Sequence, residues 1–122
     1  MKPLKVLVVD DEPELVSALV ERLEIRGFEA TGLTDGTTAV AKAQEIHFDV
    51  ALIDLKMPGI SGLDLIRKLQ EQQPQLKCIL LTGHGAAENV VKGRECGAYD
   101  CMLKPIDINV LAEALQDAAE NG

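Results

Sequence analysis

Aromatic residues are nearly missing from this chain: of 122 residues two are phenylalanine, one is tyrosine and none is tryptophan, although 47% are apolar. A core with so few rings has to be packed from Leu, Val, Ile and Ala, which suits helices covering a parallel sheet. Positive charge is also short. Twelve bases face 20 acids, and the resulting net charge of −8 repels phosphate backbones and anionic lipid. Direct binding of nucleic acid or of a membrane surface is therefore not expected. Unbroken apolar runs stay far below the ~20 residues of a membrane span, and the residues before Asp10 are too few for the apolar stretch of a signal peptide. The three cysteines, Cys78, Cys96 and Cys101, are an odd number without metal-ligand spacing. A reduced, cytoplasmic setting is the simpler expectation. Repeats, low-complexity segments and internal linkers are lacking too. The length falls within the roughly 100–150 residues typical of one domain, so the expectation is a single domain over 1–122, standing alone or cut from a longer protein.

What is present alternates between strand and helix. A short apolar run at 5–9 reads as a strand covered on both faces. Pro13 suits a first helical position, and Leu15, Val16, Leu19, Val20 and Leu23 recur at helical spacing until Gly27. A weaker strand follows at 28–32, then a helix over 36–46 capped by Asp35, with Ala39, Val40, Ala43 and Ile46 as its buried stripe. The third strand is "DVALID", 49–54. The turn-rich "LKMPGISG" leads to a helix that carries Leu63, Ile66 and Leu69. The fourth strand is "KCILLT", 77–82; residues 83–97 read as a loop and a less regular helix, and "YDCMLKP", 99–105, as the fifth strand. Asp107 or a neighbour can cap a last helix bearing Val110, Leu111, Ala114, Leu115 and Ala118. This is (βα)5, and short right-handed crossovers make it an α/β open parallel sheet with helices on both faces.

In such a sheet a site forms outside the carboxyl ends of the strands. The first strand delivers Asp10, Asp11 and Glu12 there, the third Asp54, the fourth Thr82 and the fifth Lys104. Each has an ordinary explanation alone: acids favour a helix start, Asp54 could begin a turn, and Thr82 could be a plain strand residue. Their joint occurrence on one sheet edge is what chance explains badly. Asp10, Asp11 and Asp54 together would repel one another by roughly several kcal/mol in a partly desolvated cleft. A hard divalent cation relieves that repulsion, and an oxygen-only site with few protein ligands suits Mg²⁺. A metal, an ammonium and a hydroxyl around one carboxylate could stabilise a transferring phosphoryl group, with the carboxylate as nucleophile.

On these residues the sequence resembles the receiver domain of two-component response regulators, from "VLVVDDEP" through "VALIDLKMPGISGLDLI" and "ILLTGHG" to "GAYDCMLKP". The resemblance implies a flavodoxin-like sheet of order 2-1-3-4-5. It makes Asp54 the phosphoacceptor, Asp10 and Asp11 the acidic pair that holds Mg²⁺ together with Asp54, and the Lys56 carbonyl a further ligand. Thr82 becomes the hydroxyl that moves toward the phosphoryl oxygens, and Lys104 the ammonium that pairs with them. Pro105 would follow a cis peptide bond, and Met57, Pro58 and Gly59 fit the loop after the acceptor. The implied partner is a sensor histidine kinase or a phosphotransfer protein, docking by the first helix. Phosphorylation would shift the surface of helix four, strand five and helix five, read by an output domain, a partner or a second copy in a homodimer. The resemblance implies no multiple-turnover enzyme, only a domain that catalyses its own phosphorylation and dephosphorylation.

One position departs from the family pattern. Where a switch aromatic usually stands, three residues before the lysine, the sequence has Cys101; Tyr99, two residues earlier, could report the switch or merely pack. Lys56 and His84 flank the path of an attacking water and could tune phosphoryl lifetime. Three other classes fit the residues less well. A haloacid-dehalogenase-type phosphatase needs Asp-x-Asp on its first strand, whereas the candidate nucleophile here stands on the third in Asp54-Leu55-Lys56. A flavin-binding module needs a phosphate-cradling loop where Asp10-Asp11-Glu12 stands. A pseudo-receiver would lack one of the acids or the lysine.

Overall fold

Successive residues of a strand face opposite sides of a sheet, and here both sides are apolar. The computed structural model describes residues 3–83 and 98–120. Strands β1 (Lys5–Val9), β3 (Val50–Asp54) and β4 (Lys77–Thr82) are buried almost throughout. Val6, Val8, Val50, Leu52, Ile79 and Leu81 pack into one core, and Leu7, Val9, Ala51, Ile53, Cys78 and Leu80 into the other. With β2 (Glu29–Leu33) and β5 (Asp100–Leu103) as edges, they form a parallel sheet of order β2-β1-β3-β4-β5. The order is the one the family resemblance implies. In register, Val9 stands beside Ile53, Asp54 beside Leu81 and Thr82 beside Leu103, so four strands end at nearly one level.

Four helices are present among the described residues. On one face, α1 (Pro13–Ile25) and a C-terminal helix (Ile108–Glu120) bury Val16, Leu19, Leu23, Leu111, Leu115 and Ala118. On the other, α2 (Gly36–Glu45) and α3 (Gly62–Gln72) bury Ala39, Ala43, Leu65, Ile66 and Leu69. Their starts are chemically marked. Pro13 opens α1, the Asp35 carboxylate accepts from the Thr38 N–H at 2.8 Å, and the Ser61 hydroxyl accepts from the Asp64 N–H at 3.2 Å. Asp107, the expected cap of the last helix, accepts from the Asn109 N–H at 2.8 Å. None of these helices is long and apolar enough to cross a membrane.

The departures from expectation are local. Val110 belongs to the expected apolar stripe of the last helix, yet it points to solvent at 53% exposure. The fifth strand is shorter than 99–105: the Lys104 N–H still reaches the Thr82 carbonyl at 2.9 Å, but Pro105 has no N–H with which to continue. Tyr99 precedes β5 and is partly exposed. The Lys104–Pro105 peptide is cis, as expected. The helix expected within 83–97, with His84 and Cys96, lies outside the described residues.

Candidate functional site

β1 ends at Val9, and the next residue, Asp10, is carried straight down into the protein with a fully buried side chain. Its N–H donates to the Leu33 carbonyl at 3.2 Å, which ties it to the edge strand. One carboxylate oxygen, Oδ1, accepts from the Glu12 N–H at 3.0 Å. The other, Oδ2, is buried and lies 2.8 Å from the Lys104 ammonium. At that distance the contact is an ion pair and a charge-assisted hydrogen bond at once. Lys104 Nζ also stands 3.4 Å from Asp54 Oδ1. The lysine, placed just beyond β5, therefore bridges carboxylates from the ends of β1 and β3.

Asp54, the last residue of β3, is 5% exposed. Burial, and after it the charge of Asp10, pushes its carboxyl up from 3.8 to about 6, against the pull of Lys104. Burial opposes the charge on Lys104, but the attraction of Asp10 and Asp54 outweighs it and raises that pKa. Carboxylate oxygens of Asp10, Asp11 and Asp54 lie within 4.8 Å of one another. Three carboxylates and one ammonium leave a formal charge of −2, which one divalent cation would balance. An all-oxygen set that joins two buried carboxylates to an exposed one fits a small hard cation.

A cleft of about 310 Å³ opens above these groups, walled by Asp11, Glu12, Asp54, Lys56, Thr82 and Lys104. The loop that shapes it turns at Gly59, whose φ of +88° lies in the left-handed region. It then returns so closely that a Cβ on Gly62 would overlap the Asp54 carbonyl. The Gly62 N–H donates to the Leu55 carbonyl at 2.9 Å and fastens α3 beneath the cleft. Thr82, 4% exposed, closes the β4 side.

The structure thus brings together Asp10, Asp11, Asp54, Lys56, Thr82 and Lys104. Cys101 is not among them: it packs, half-buried, against the core on the α2–α3 side. Gly62 was missed as a site residue, because in sequence "SG" at a helix start is indistinguishable from any capped turn. Glu12 was noted among the acids but was not read as a cleft wall.

Comparison with known proteins agrees with this fold. The family profile described as "Response regulator receiver domain" matches residues 6–116. The probable transcriptional regulatory protein TcrX of Mycobacterium tuberculosis is 38% identical over 107 residues, which are 88% of this chain and 46% of that protein. The two-component response regulator PhoP of Pseudomonas aeruginosa is 38% identical over 112 residues, covering 92% of this chain and 50% of its own length. The chain thus spans about half the length of these relatives. The crystal structure of a receiver domain protein from Clostridium thermocellum superposes with a TM-score of 0.90 at 32% identity, covering 97% of this chain and 95% of that one. A profile match that runs from β1 into the C-terminal helix, on a sheet of the same topology, leads to one conclusion: the chain belongs to the response regulator receiver domains of two-component systems.

Proposed function

We propose that the chain accepts a phosphoryl group on Asp54 from a phosphohistidine of a sensor histidine kinase or phosphotransfer protein, in a Mg²⁺-dependent reaction. The observation that carries this reading is the meeting of three carboxylates, with oxygens within 4.8 Å, and one bridging ammonium at the carboxyl ends of the strands. Asp10, Asp11, Asp54 and the Lys56 carbonyl would hold the cation, which when bound supplies positive charge to phosphoryl oxygens.

An ionised Asp54 oxygen attacks phosphorus; a P–O bond forms, the P–N bond of the phosphohistidine breaks, and its electron pair returns to the imidazole. Asp54 is ionised at neutral pH even with its carboxyl raised to about 6, and it stays positioned by the backbone that β3 and Gly62 lock in place. Lys104 neutralises part of the charge that the phosphoryl group brings, and the Thr82 hydroxyl donates a hydrogen bond to it. That new contact biases β4 and β5 toward a second arrangement that partners read, a population shift rather than a refolding. Water later cleaves the acyl phosphate. The cycle makes the chain a switch, not a multiple-turnover enzyme. Lys56 stands at the rim, where an attacking water must pass.

Incubating the chain with Mg²⁺ and acetyl phosphate, then measuring intact mass, tests the reading. The expected result is one added phosphoryl group, lost in Asp54→Asn and in EDTA. Label remaining on Asp54→Asn would mean that the acceptor is another residue.

A further inference from the structure

Residues 33–36 join β2 to α2, and the join is fixed at both ends. The Leu33 carbonyl accepts from the Asp10 N–H at 3.2 Å. Just beyond, the Asp35 carboxylate accepts from the Thr38 N–H at 2.8 Å and from the Thr38 hydroxyl at 2.7 Å. Gly36 follows as the first residue of α2, and it is buried. The backbone does not require a glycine here: φ is not positive, and alanine is the better helix former. The space does. A Cβ on Gly36 would overlap Cγ2 of Ile60. Ile60 does not yield cheaply, since its branched Cβ stiffens χ1. Its side chain packs against the core on the α2–α3 side, and its N–H donates to the Pro58 carbonyl at 3.1 Å. A push on Ile60 therefore passes into the loop, between the turn at Gly59 and the anchor from Gly62 to Leu55. Lys56, which walls the cleft, lies in that loop.

We propose that the 33–36 connector is a positioning element of the cleft. It holds Asp10 from one end and, through Gly36 and Ile60, the backbone of the Lys56 loop from the other. The inference deepens the receiver reading and rests on it. Neither Gly36 nor Ile60 lines the cleft; both act on residues that do. β1 and β3 pair directly, which fixes the strands that deliver Asp10 and Asp54. The loop after Asp54 leaves the sheet and needs a support of its own. Close packing supplies it, because in a dense interior a displaced methyl group moves its neighbours. The support matters for the proposed cation site: Mg²⁺ demands near-ideal ligand geometry, so affinity depends on how the Lys56 carbonyl is set relative to the acids.

The test is a double-mutant cycle on the full, isotope-labelled chain, with Mg²⁺ affinity read from the amide shifts of residues 10–12 and 54–57. Gly36→Ala and Ile60→Ala are each expected to weaken Mg²⁺ binding about threefold or more. The first pushes the loop, and the second leaves it unsupported. Combined, they are expected to return to within about twofold of the parent, because the new methyl group fills space that Ile60 vacated. Without metal, Gly36→Ala is expected to move the shifts of residues 55–57, and the double variant to restore them. Ala43→Gly, near the end of the same helix, lowers stability and is expected to leave the affinity unchanged. Single effects that multiply in the double variant, or an equal loss in Ala43→Gly, would overturn the proposal. So would an unchanged affinity in Ile60→Ala, which needs no overpacked core to fold. Failure of the receiver reading looks different: the parent itself would take no Mg²⁺ at these residues, and the metal-free shifts would still decide whether the connector holds the loop.

Discussion

Asp54 combines two demands that pull against each other. The proposed role as nucleophile for phosphorus needs an ionised Asp54, yet its place at the end of a buried strand favours the neutral form, and the carboxyl is pushed up from 3.8 to about 6. The folded protein therefore holds that proton more tightly than the unfolded chain does. Without metal, this residue adds stability below about pH 4 that is lost as pH rises through about 6, an amount on the order of 3 kcal/mol. Asp54→Asn removes the penalty. In EDTA near neutral pH it is expected to be more stable than the parent, and the gap is expected to close as pH falls toward 4. Urea unfolding of both proteins across that range checks this; a gap that is constant with pH would assign the effect to something other than ionisation. Asp54, Asp10 and Lys104 were legible from their places at strand ends. The bridging of Asp10 and Asp54 by one ammonium was not, because it depends on how far Lys104 extends across a cleft whose width no sequence spacing gives.

At the scale of elements, the cleft is shaped by the return of the β3–α3 loop. Gly62→Ala puts a methyl group against the Asp54 carbonyl, which is backbone and cannot swing aside, so a loss of about 1–3 kcal/mol is expected. Gly59→Ala should instead lose stability through its positive φ, about 1 kcal/mol. Denaturant midpoints measure both. Only the Gly62 change is also expected to slow acetyl phosphate labelling, because it displaces the acceptor's own backbone. β5 poses a different question. Cys101 sits half-buried in the α2–α3 core, where a thiol has too little surface to gain or lose much on moving. Cys101→Tyr is expected to leave labelling of Asp54 intact while changing phosphorylation-dependent association, as read by sedimentation. If association is the same in both proteins, position 101 plays no part in output. The strands and helices were legible because apolar periodicity is strong in both. The fifth strand's early end and the outward Val110 were not, since a proline's effect on a ladder and a helix's rotation depend on neighbours distant in sequence.

For the molecule as a whole, the proposed cation site would link binding to folding. On the proposed function, Mg²⁺ held only by the assembled Asp10, Asp11 and Asp54 would stabilise the native state by mass action, and at ten times its dissociation constant the gain would be about 1.4 kcal/mol. A rise of several degrees in thermal midpoint is expected. Asp11→Asn should abolish the rise with little effect on the metal-free midpoint, because Asp11 is exposed and supports no packing. An equal rise in the variant, at matched ionic strength, would show that Mg²⁺ acts elsewhere. The sequence by itself determined the alternation of elements, the two-sided apolar core and the delivery of acids, hydroxyl and lysine to one sheet edge. These follow from local periodicity and from which residue ends each strand. Only the tertiary structure decided that a single ammonium spans two carboxylates, that Asp10 is fully buried beside it, and that Val110 turns to solvent. Each of these depends on distances between segments far apart in the chain, and those distances are fixed only when the sheet's register and the helix rotations are set by packing.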